Sequence, residues 1–381
     1  MADLPPLPTI DSTNPWGGHV SIPHPQASTL NRPSHWMSSS PLDIGILKST
    51  LLPSLSLNSS LAVVAYTAGR LTDRAETKNL LWPVLPVVNA WHAAVLRHTA
   101  ASAHGASDAG ESAAAAAWRA LSGPERMLLG GVTLWGARLL HRLASRSLSR
   151  GRDDPRYELA KRQRRLQPPP SHAGEASSRF WNWAWLTVYL PEVLFQTVIA
   201  LPVTMPFRLA AGDYRCGMGD GYRGVGQALA VGLFGAGFAL EVLADWQLAE
   251  FKMKAENRGK ICRGGVWGIV RHPNYLGDAL VHLSFPLLLY ANNLLPPLAL
   301  LGPLANYLFL RFVGGVKENE KFQVRRYSSE DVGKKMDFDR YRREKNAFWP
   351  DASQVYNKWA WIIVGCGVAG AVIERVVTRL L

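Results

Sequence analysis

The polar residues best suited to chemistry crowd into one short segment, GGVWGIVRHPNYLGD, which runs from residue 264 to residue 278. Its two leading glycines allow the backbone to approach a ligand closely. Pro273 lacks an N–H and biases His272 toward an extended conformation. A helix that begins near Asn274 would present free N–H groups and a positive dipole end, which suit a phosphate. The segment therefore predicts a structured loop that leads into a helix and binds a phosphorylated dinucleotide.

Side chains around this turn carry charges and rings that fit such a ligand. Arg271 and His272 stand beside the predicted helix start, and Trp267 could stack on an aromatic ring. Asp278 lies one turn after Asn274 on the same face, where it would hold Arg271 or His272 or accept a ribose hydroxyl. The alternative is a solvated basic loop without a ligand, but the density of glycine, tryptophan and the His-Pro-Asn-Tyr run favours a site. Further cations lie upstream, namely Lys252, Arg258 and Arg263.

Long apolar blocks flank this segment and predict membrane helices. Each is close to the roughly 20 residues that a helix needs to cross a bilayer. Basic residues concentrate after the third, fifth and seventh blocks, which places those loops on the cytosolic side. The last block fits less well, because Arg375 and Arg379 lie near its far end. The blocks lie near 42–67, 79–97, 126–144, 181–204, 223–249, 275–292, 296–316 and 359–380.

These patterns predict an all-α fold, a polytopic membrane helical bundle with about seven to eight spans and a cytosolic-side cofactor pocket. Residues 1–41 are rich in Pro, Ser and Asn and predict a disordered leader. We then expect amino-terminal membrane helices over 42–204, a carboxy-terminal membrane domain with the cofactor motif over 205–350, and a terminal hydrophobic helix over 351–381.

Composition narrows the class of partner. Hydrophobic residues make up 48% of the chain and charged residues 19%, below the roughly 25% usual in soluble domains. The net charge of +13 favours anionic lipid heads and a phosphorylated cofactor, and no RNA-binding motif accompanies it, so nucleic acid is not an expected partner. The three cysteines have neither metal-ligand spacing nor an even number, which supports no metal site and no disulfide framework.

The segment at 264–278 resembles the carboxy-terminal signature of the membrane sterol reductases and steroid 5α-reductases. The likeness extends upstream through EVLADWQLAEFKMKAENRGK (241–260) and downstream to VKENEKFQVRRY (316–327) and YRREKNAFWP (341–350). The combination is most similar to the 5α-reductase-like branch of that family. Isoprenylcysteine carboxyl methyltransferases carry a similar Arg-His-Pro-x-Tyr stretch and use S-adenosylmethionine.

The resemblance implies NADPH as the cofactor and roles for individual residues. Asp245 and Lys252 fall where the reductases contact the cofactor, and Tyr341 matches a tyrosine that lines their site. This sequence departs from the pattern at Asn319, where the sterol reductases carry an acidic residue. With the upstream cations included, the expected cofactor-binding residues are Asp245, Lys252, Arg258, Arg263, Trp267, Arg271, His272, Asn274, Tyr275, Asp278, Glu320 and Arg325.

The expected reaction is NADPH-dependent reduction of an activated carbon–carbon double bond in a lipophilic, sterol- or prenyl-like substrate that enters from the bilayer. An acid aimed at the substrate carbonyl would stabilise the developing charge, and Tyr341, Tyr275 and Glu192 are the candidates in that order. Glu192 lies inside an apolar block, where a carboxylate is costly, although a hydrogen bond with Gln196 is an alternative role.

Two other functions remain open at this stage: an S-adenosylmethionine-dependent membrane methyltransferase, and a non-catalytic sterol-binding membrane protein. NADPH carries a ribose phosphate that calls for Arg or Lys, whereas S-adenosylmethionine carries none, so the arginines favour the reductase. By resemblance the expected membrane is the endoplasmic reticulum. The sequence leaves the oligomeric state open.

Overall fold

A computed structural model describes residues 47–102, 112–165, 175–209 and 216–380. The predicted leader at 1–41 lies outside these residues. Within them the secondary structure is helical, apart from one isolated bridge between Cys216 and Leu295. The all-α prediction is confirmed for this part of the chain.

The first half of the described chain consists of helices of very different lengths. They are α1 (Leu52–Thr72), α2 (Thr77–Ser102), α3 (Ala113–Ala120), α4 (Gly123–Arg150), α5 (Pro155–Arg165), α6 (Glu175–Ala184), α7 (Leu190–Ile199) and α8 (Leu201–Arg208). π-Helical turns at Leu47–Leu51 and Trp185–Tyr189 precede α1 and α7.

The second half contains the longest helix and the predicted motif. Its helices are α9 (Arg223–Met253), α10 (Pro273–Ala291), α11 (Leu301–Leu308), α12 (Val316–Glu330), α13 (Val332–Glu344) and α14 (Lys358–Leu380). A π-helical turn, Phe309–Val313, joins α11 to α12. His272 was predicted to be extended; its φ of −132° and ψ of 67° lie outside both the extended and the helical regions, and α10 begins at Pro273.

Five helices are long and apolar enough to cross a membrane, so the protein is an integral membrane protein. They are Lys48–Thr72, Thr77–Ala100, Arg223–Met253, Pro297–Ser329 and Lys358–Leu380. The pair Phe180–Ile199 and Leu201–Arg208, bent by 55°, would make a sixth if it is one span. This number, for the described residues, is below the predicted seven to eight. The predicted blocks at 126–144 and 275–292 lie in α4 and α10, which carry inward polar side chains such as Arg138 and Asp278.

Close helix crossings hold α10 and α14 against α9. A Cβ atom on Gly277 of α10 would lie 2.6 Å from the carbonyl oxygen of Gly237, and one on Gly367 of α14 would lie 2.5 Å from that of Gly232. Small residues of this kind let membrane helices approach at backbone distance. The crossing at Gly277 places the first turns of α10 beside the polar end of α9.

The native cysteines test the orientation of α9, because Cys216 precedes this candidate span and Cys262 follows it. We expect a membrane-impermeant maleimide to reach Cys216 and Cys262 from opposite sides of sealed vesicles. Burial raises the pKa of the Cys262 thiol, and the thiolate is the nucleophile, so its labelling should speed up as the pH rises. A Cys366→Ser background removes the exposed cysteine of α14.

A cysteine introduced at Arg152, in the exposed turn between α4 and α5, serves as the matched probe. It should react from the Cys262 side. Labelling of Cys216 and Cys262 from one side, or of position 152 from the Cys216 side, would contradict this orientation.

Candidate functional site

The loop after α9 and the start of α10 line a large cavity, here termed the basic cavity. Its volume is about 730 Å³. Ligand pockets commonly measure roughly 300–1,000 Å³. The ends of α4 and α9, the start of α5, and α12 and α13 complete the wall. The volume of the basic cavity therefore lies within the range of ligand pockets.

Most of the residues predicted for the cofactor line the basic cavity, and a smaller group does not. Asp278 lines a second cavity, as does the catalytic candidate Glu192. Glu320 and Arg325 line a third cavity on the other face of α12, and Arg263 lines none of the three cavities. The predicted residues in the basic cavity are Asp245, Lys252, Arg258, Trp267, Arg271, His272, Asn274, Tyr275 and Tyr341.

Backbone contacts fix the predicted motif in place. The N–H groups of Arg271 and His272 donate to the carbonyl oxygens of Asn346 and Ala347, at 3.0 and 3.2 Å. Gly265 has a φ of +67°, and a Cβ atom there would lie 2.1 Å from Oε1 of Gln247. A glycine is therefore required at this turn.

Glu320 joins the motif to α12 and α13. Its Oε1 accepts from Nη2 of Arg271 at 2.7 Å and lies 3.0 Å from Nε2 of His272, while its Oε2 lies 3.3 Å from Nε of Arg342. Burial lowers the pKa of His272, although Glu320 opposes the shift. We expected Asp278 to hold Arg271 or His272, but Glu320 does so.

Asp278 instead ties α10 to α2 and α11. Its Oδ2 accepts from Nε1 of Trp82 at 2.9 Å, and its Oδ1 accepts from Nδ2 of Asn306 at 2.9 Å. His282 lies 3.0 Å from the same Oδ1. Asp278 therefore fixes the packing of three helices at the edge of the second cavity.

The two candidate tyrosines differ in what their hydroxyl groups do. The hydroxyl of Tyr341 donates to the carbonyl oxygen of Trp267, and burial raises its pKa. The oxygen of Tyr275 accepts from Nδ2 of Asn319 at 3.3 Å, which leaves its own O–H available. Tyr275 also lines both the basic and the second cavity.

An arginine stripe on α4 forms a wall that sequence reasoning missed. Arg142, Arg146 and Arg150 recur at every fourth position, so they share one helix face, and all three line the basic cavity. From the sequence, the basic residues after the third apolar block predicted only the orientation of the bundle. Their helical spacing is the signal that could have identified them.

One carboxylate serves much of this stripe. Asp154 lies 3.1 Å from Arg146, 3.0 Å from Arg156 and 3.6 Å from Arg150. Burial opposes its ionisation, but the charge of Arg156 and the hydrogen bonds from it outweigh burial and hold the pKa of Asp154 at about 2. Asp154 therefore stays ionised beside the arginines.

The basic cavity carries a large excess of positive charge. Of the described residues that line it, ten are Lys or Arg and two, Asp154 and Asp245, are acidic. Arg138 holds Asp245 at 2.7 Å. Within the described chain, no ion pair is formed by Lys252, Arg258 or Lys260. The cavity is therefore suited to an anionic ligand.

A second, smaller cavity of about 190 Å³ adjoins the basic cavity. Trp82, Leu139 and Phe309 contribute apolar surface, and Glu192 faces it in a salt bridge of 3.2 Å with Lys78. Gln196 also lies 3.5 Å from Glu192, at the limit of a hydrogen bond. The residues common to both cavities are Arg142, Arg146, Arg156, Asp245, Asn274 and Tyr275.

Asn274 has an unfilled acceptor at this junction. Its Oδ1 is buried and has no hydrogen-bond partner within the described structure. Buried polar atoms almost always have a partner. A ligand hydroxyl or amide that donates to Oδ1 would supply one.

The helices and cavities define an integral membrane protein with a basic, ligand-sized site at one end of its bundle. The sequence model of DUF1295, a family of proteins of unknown function, matches residues 65–344, and the chain belongs to this family. Comparison with curated proteins and with solved structures found no match.

We expect Glu320→Gln to lower the free energy of unfolding by about 3 kcal/mol, because it leaves the buried Arg271 without its carboxylate. Chemical unfolding in detergent measures the change. Glu344→Gln is the control, since Glu344 is half exposed and lies 3.7 Å from Arg263, and its effect should stay within about 0.5 kcal/mol. Equal effects of the two substitutions would contradict a structural role for Glu320.

Proposed function

We propose that the protein is an NADPH-dependent reductase of an activated carbon–carbon double bond in a lipophilic, sterol- or prenyl-like substrate. The observation that carries the proposal is the junction of two cavities, one strongly basic and one partly apolar, at Asn274 and Tyr275. Such a junction would bring a phosphorylated cofactor and an apolar substrate together. The position of α4 and α10 within the bundle supports further spans beyond the five or six candidates.

The residues present fit NADPH in charge and in hydrogen bonding. Lys252, Arg258 and Lys260 would hold its phosphates, and the buried Oδ1 of Asn274 would accept from its sugar or amide. NADPH supplies a hydride when bound. Arg271 would add charge to the phosphate site while Glu320 keeps it in place.

Tyr275 is the proton donor that the geometry favours. Because Asn319 donates to its oxygen, the O–H can point to a substrate carbonyl and stabilise the charge that develops there. The hydroxyl of Tyr341 is engaged with the backbone, and Glu192 is paired with Lys78. We therefore place Tyr275 ahead of these two residues.

The alternatives make different use of the site. S-adenosylmethionine has no phosphate and would leave Lys252, Arg258 and Lys260 without a counter-charge. A sterol-binding protein without catalysis would need only the second cavity. Titration of the purified protein with NADPH, NADH and S-adenosylmethionine separates the three functions. The endoplasmic reticulum stays a prediction.

We expect Arg258→Gln to weaken NADPH binding about ten- to a hundredfold more than NADH binding, because a charge-assisted hydrogen bond contributes about 1.5–3 kcal/mol. Fluorescence titration measures both affinities. Arg343→Gln, which changes an exposed arginine outside the cavities, should leave both unchanged. An equal loss for the two nucleotides in Arg258→Gln would reject Arg258 as the residue that reads the ribose phosphate.

We expect Tyr275→Phe to lower kcat about a hundredfold or more, in the range of a lost general acid, with little change in NADPH affinity. Oxidation of NADPH in the presence of a lipophilic enone measures the rate. Tyr341→Phe is the comparison, and it should mainly reduce stability because its hydroxyl bonds the backbone. Turnover of Tyr275→Phe at the wild-type rate would rule out Tyr275 as the proton donor.

A further inference from the structure

A third cavity, here termed the outer cavity, lies on the other side of α12 and measures about 480 Å³. Lys317, Lys321 and Arg325 line it at every fourth position of the helix. Asn319 and Gln323, on the opposite helix face, line the basic cavity. The outer cavity therefore shares no lining residue with the basic cavity and is a separate site.

The outer cavity is rich in cations that have no counter-charge. Arg311, Lys317, Lys321 and Arg325 form no ion pair within the described structure. The acidic residue in the wall, Glu320, is already bound by cations of the motif and of α13. The outer cavity is therefore electrostatically suited to an anion.

An exposed apolar stripe leads to these cations. Leu301, Leu304, Leu308 and Phe312 follow one another at helical spacing, and each is at least two-fifths exposed. They belong to the candidate span Pro297–Ser329. The stripe ends at Phe312, over whose ring the Arg311 guanidinium lies at 5.4 Å. Apolar surface thus changes to positive charge at the place where this span would leave the bilayer.

We propose that the outer cavity binds the headgroup of an anionic phospholipid, with an acyl chain along the stripe from Leu301 to Phe312. The phosphate and the negative headgroup meet Arg311, Lys317, Lys321 and Arg325. A free phosphate would bind the same cations but would not contact the apolar stripe. A lipid contacts both surfaces and therefore fits the outer cavity better. The proposal does not depend on NADPH or on catalysis.

The test uses the full-length protein reconstituted in bilayers of phosphatidylcholine with phosphatidylserine, followed by native mass spectrometry of the lipid that stays bound. We expect wild type to retain phosphatidylserine over phosphatidylcholine. Each cation near an anionic lipid changes affinity by about fivefold, equivalent to about 1 kcal/mol. Lys317→Gln with Lys321→Gln should therefore reduce this preference by more than tenfold.

The matched control is Arg343→Gln with Lys358→Gln, which removes the same charge from exposed positions outside the outer cavity. It should retain the wild-type preference, and equal loss in this control would overturn the proposal, as would unchanged retention in the test variant. Thermal unfolding in detergent adds a second arm. Phosphatidylserine should stabilise wild type and inorganic phosphate should not; equal stabilisation by phosphate would identify a phosphate-ion site instead.

Discussion

The contact between Glu320 and the pair Arg271 and His272 is the constraint on which the arrangement of the site depends. It joins residues far apart in sequence, and it sets the start of α10 against α12 and the end of α13. Breaking one partner of a buried ion pair is costly because the other charge stays buried. The same carboxylate keeps Arg271 at the wall of the basic cavity, so the stability of the fold and the electrostatics of the site rest on one group.

The excess of positive charge in the basic cavity is the second feature that determines the properties of the site. Burial lowers the pKa of Arg146, with Arg150, Arg156 and Arg142 adding to the shift and Asp154 opposing it. Such crowding of like charges costs free energy in the absence of a ligand. An anion that binds the basic cavity relieves the repulsion, and a ligand that binds only the folded state stabilises it. The arginine stripe therefore links ligand binding to the stability of α4 and α5.

Patterns within short stretches of the sequence correctly predicted the helical, membrane-embedded class of the fold and the start of one helix. Apolar blocks indicated an all-helical membrane protein, and Pro273 marked the start of α10. Partners that lie far apart in the chain could not be predicted, because no spacing rule connects Glu320 with Arg271 or Asp278 with Trp82. Within the described residues, fewer helices than predicted are long and apolar enough to cross a membrane. The predicted blocks in α4 and α10 carry Arg138 and Asp278, whose polar partners lie in the interior of the bundle. The arginine stripe was visible as a spacing, but its role required knowing which helices surround it.

The π-helical turn Phe309–Val313 has neighbours of two kinds. Phe309 lines the second cavity, whereas Arg311 and Phe312 line the outer cavity. A single turn of backbone thus forms part of the wall of both. Any ligand that shifts this turn when it binds on one side changes affinity on the other, and thermodynamic reciprocity makes the two effects equal. The composition of the surrounding bilayer would then act as an allosteric effector of the interior of the bundle.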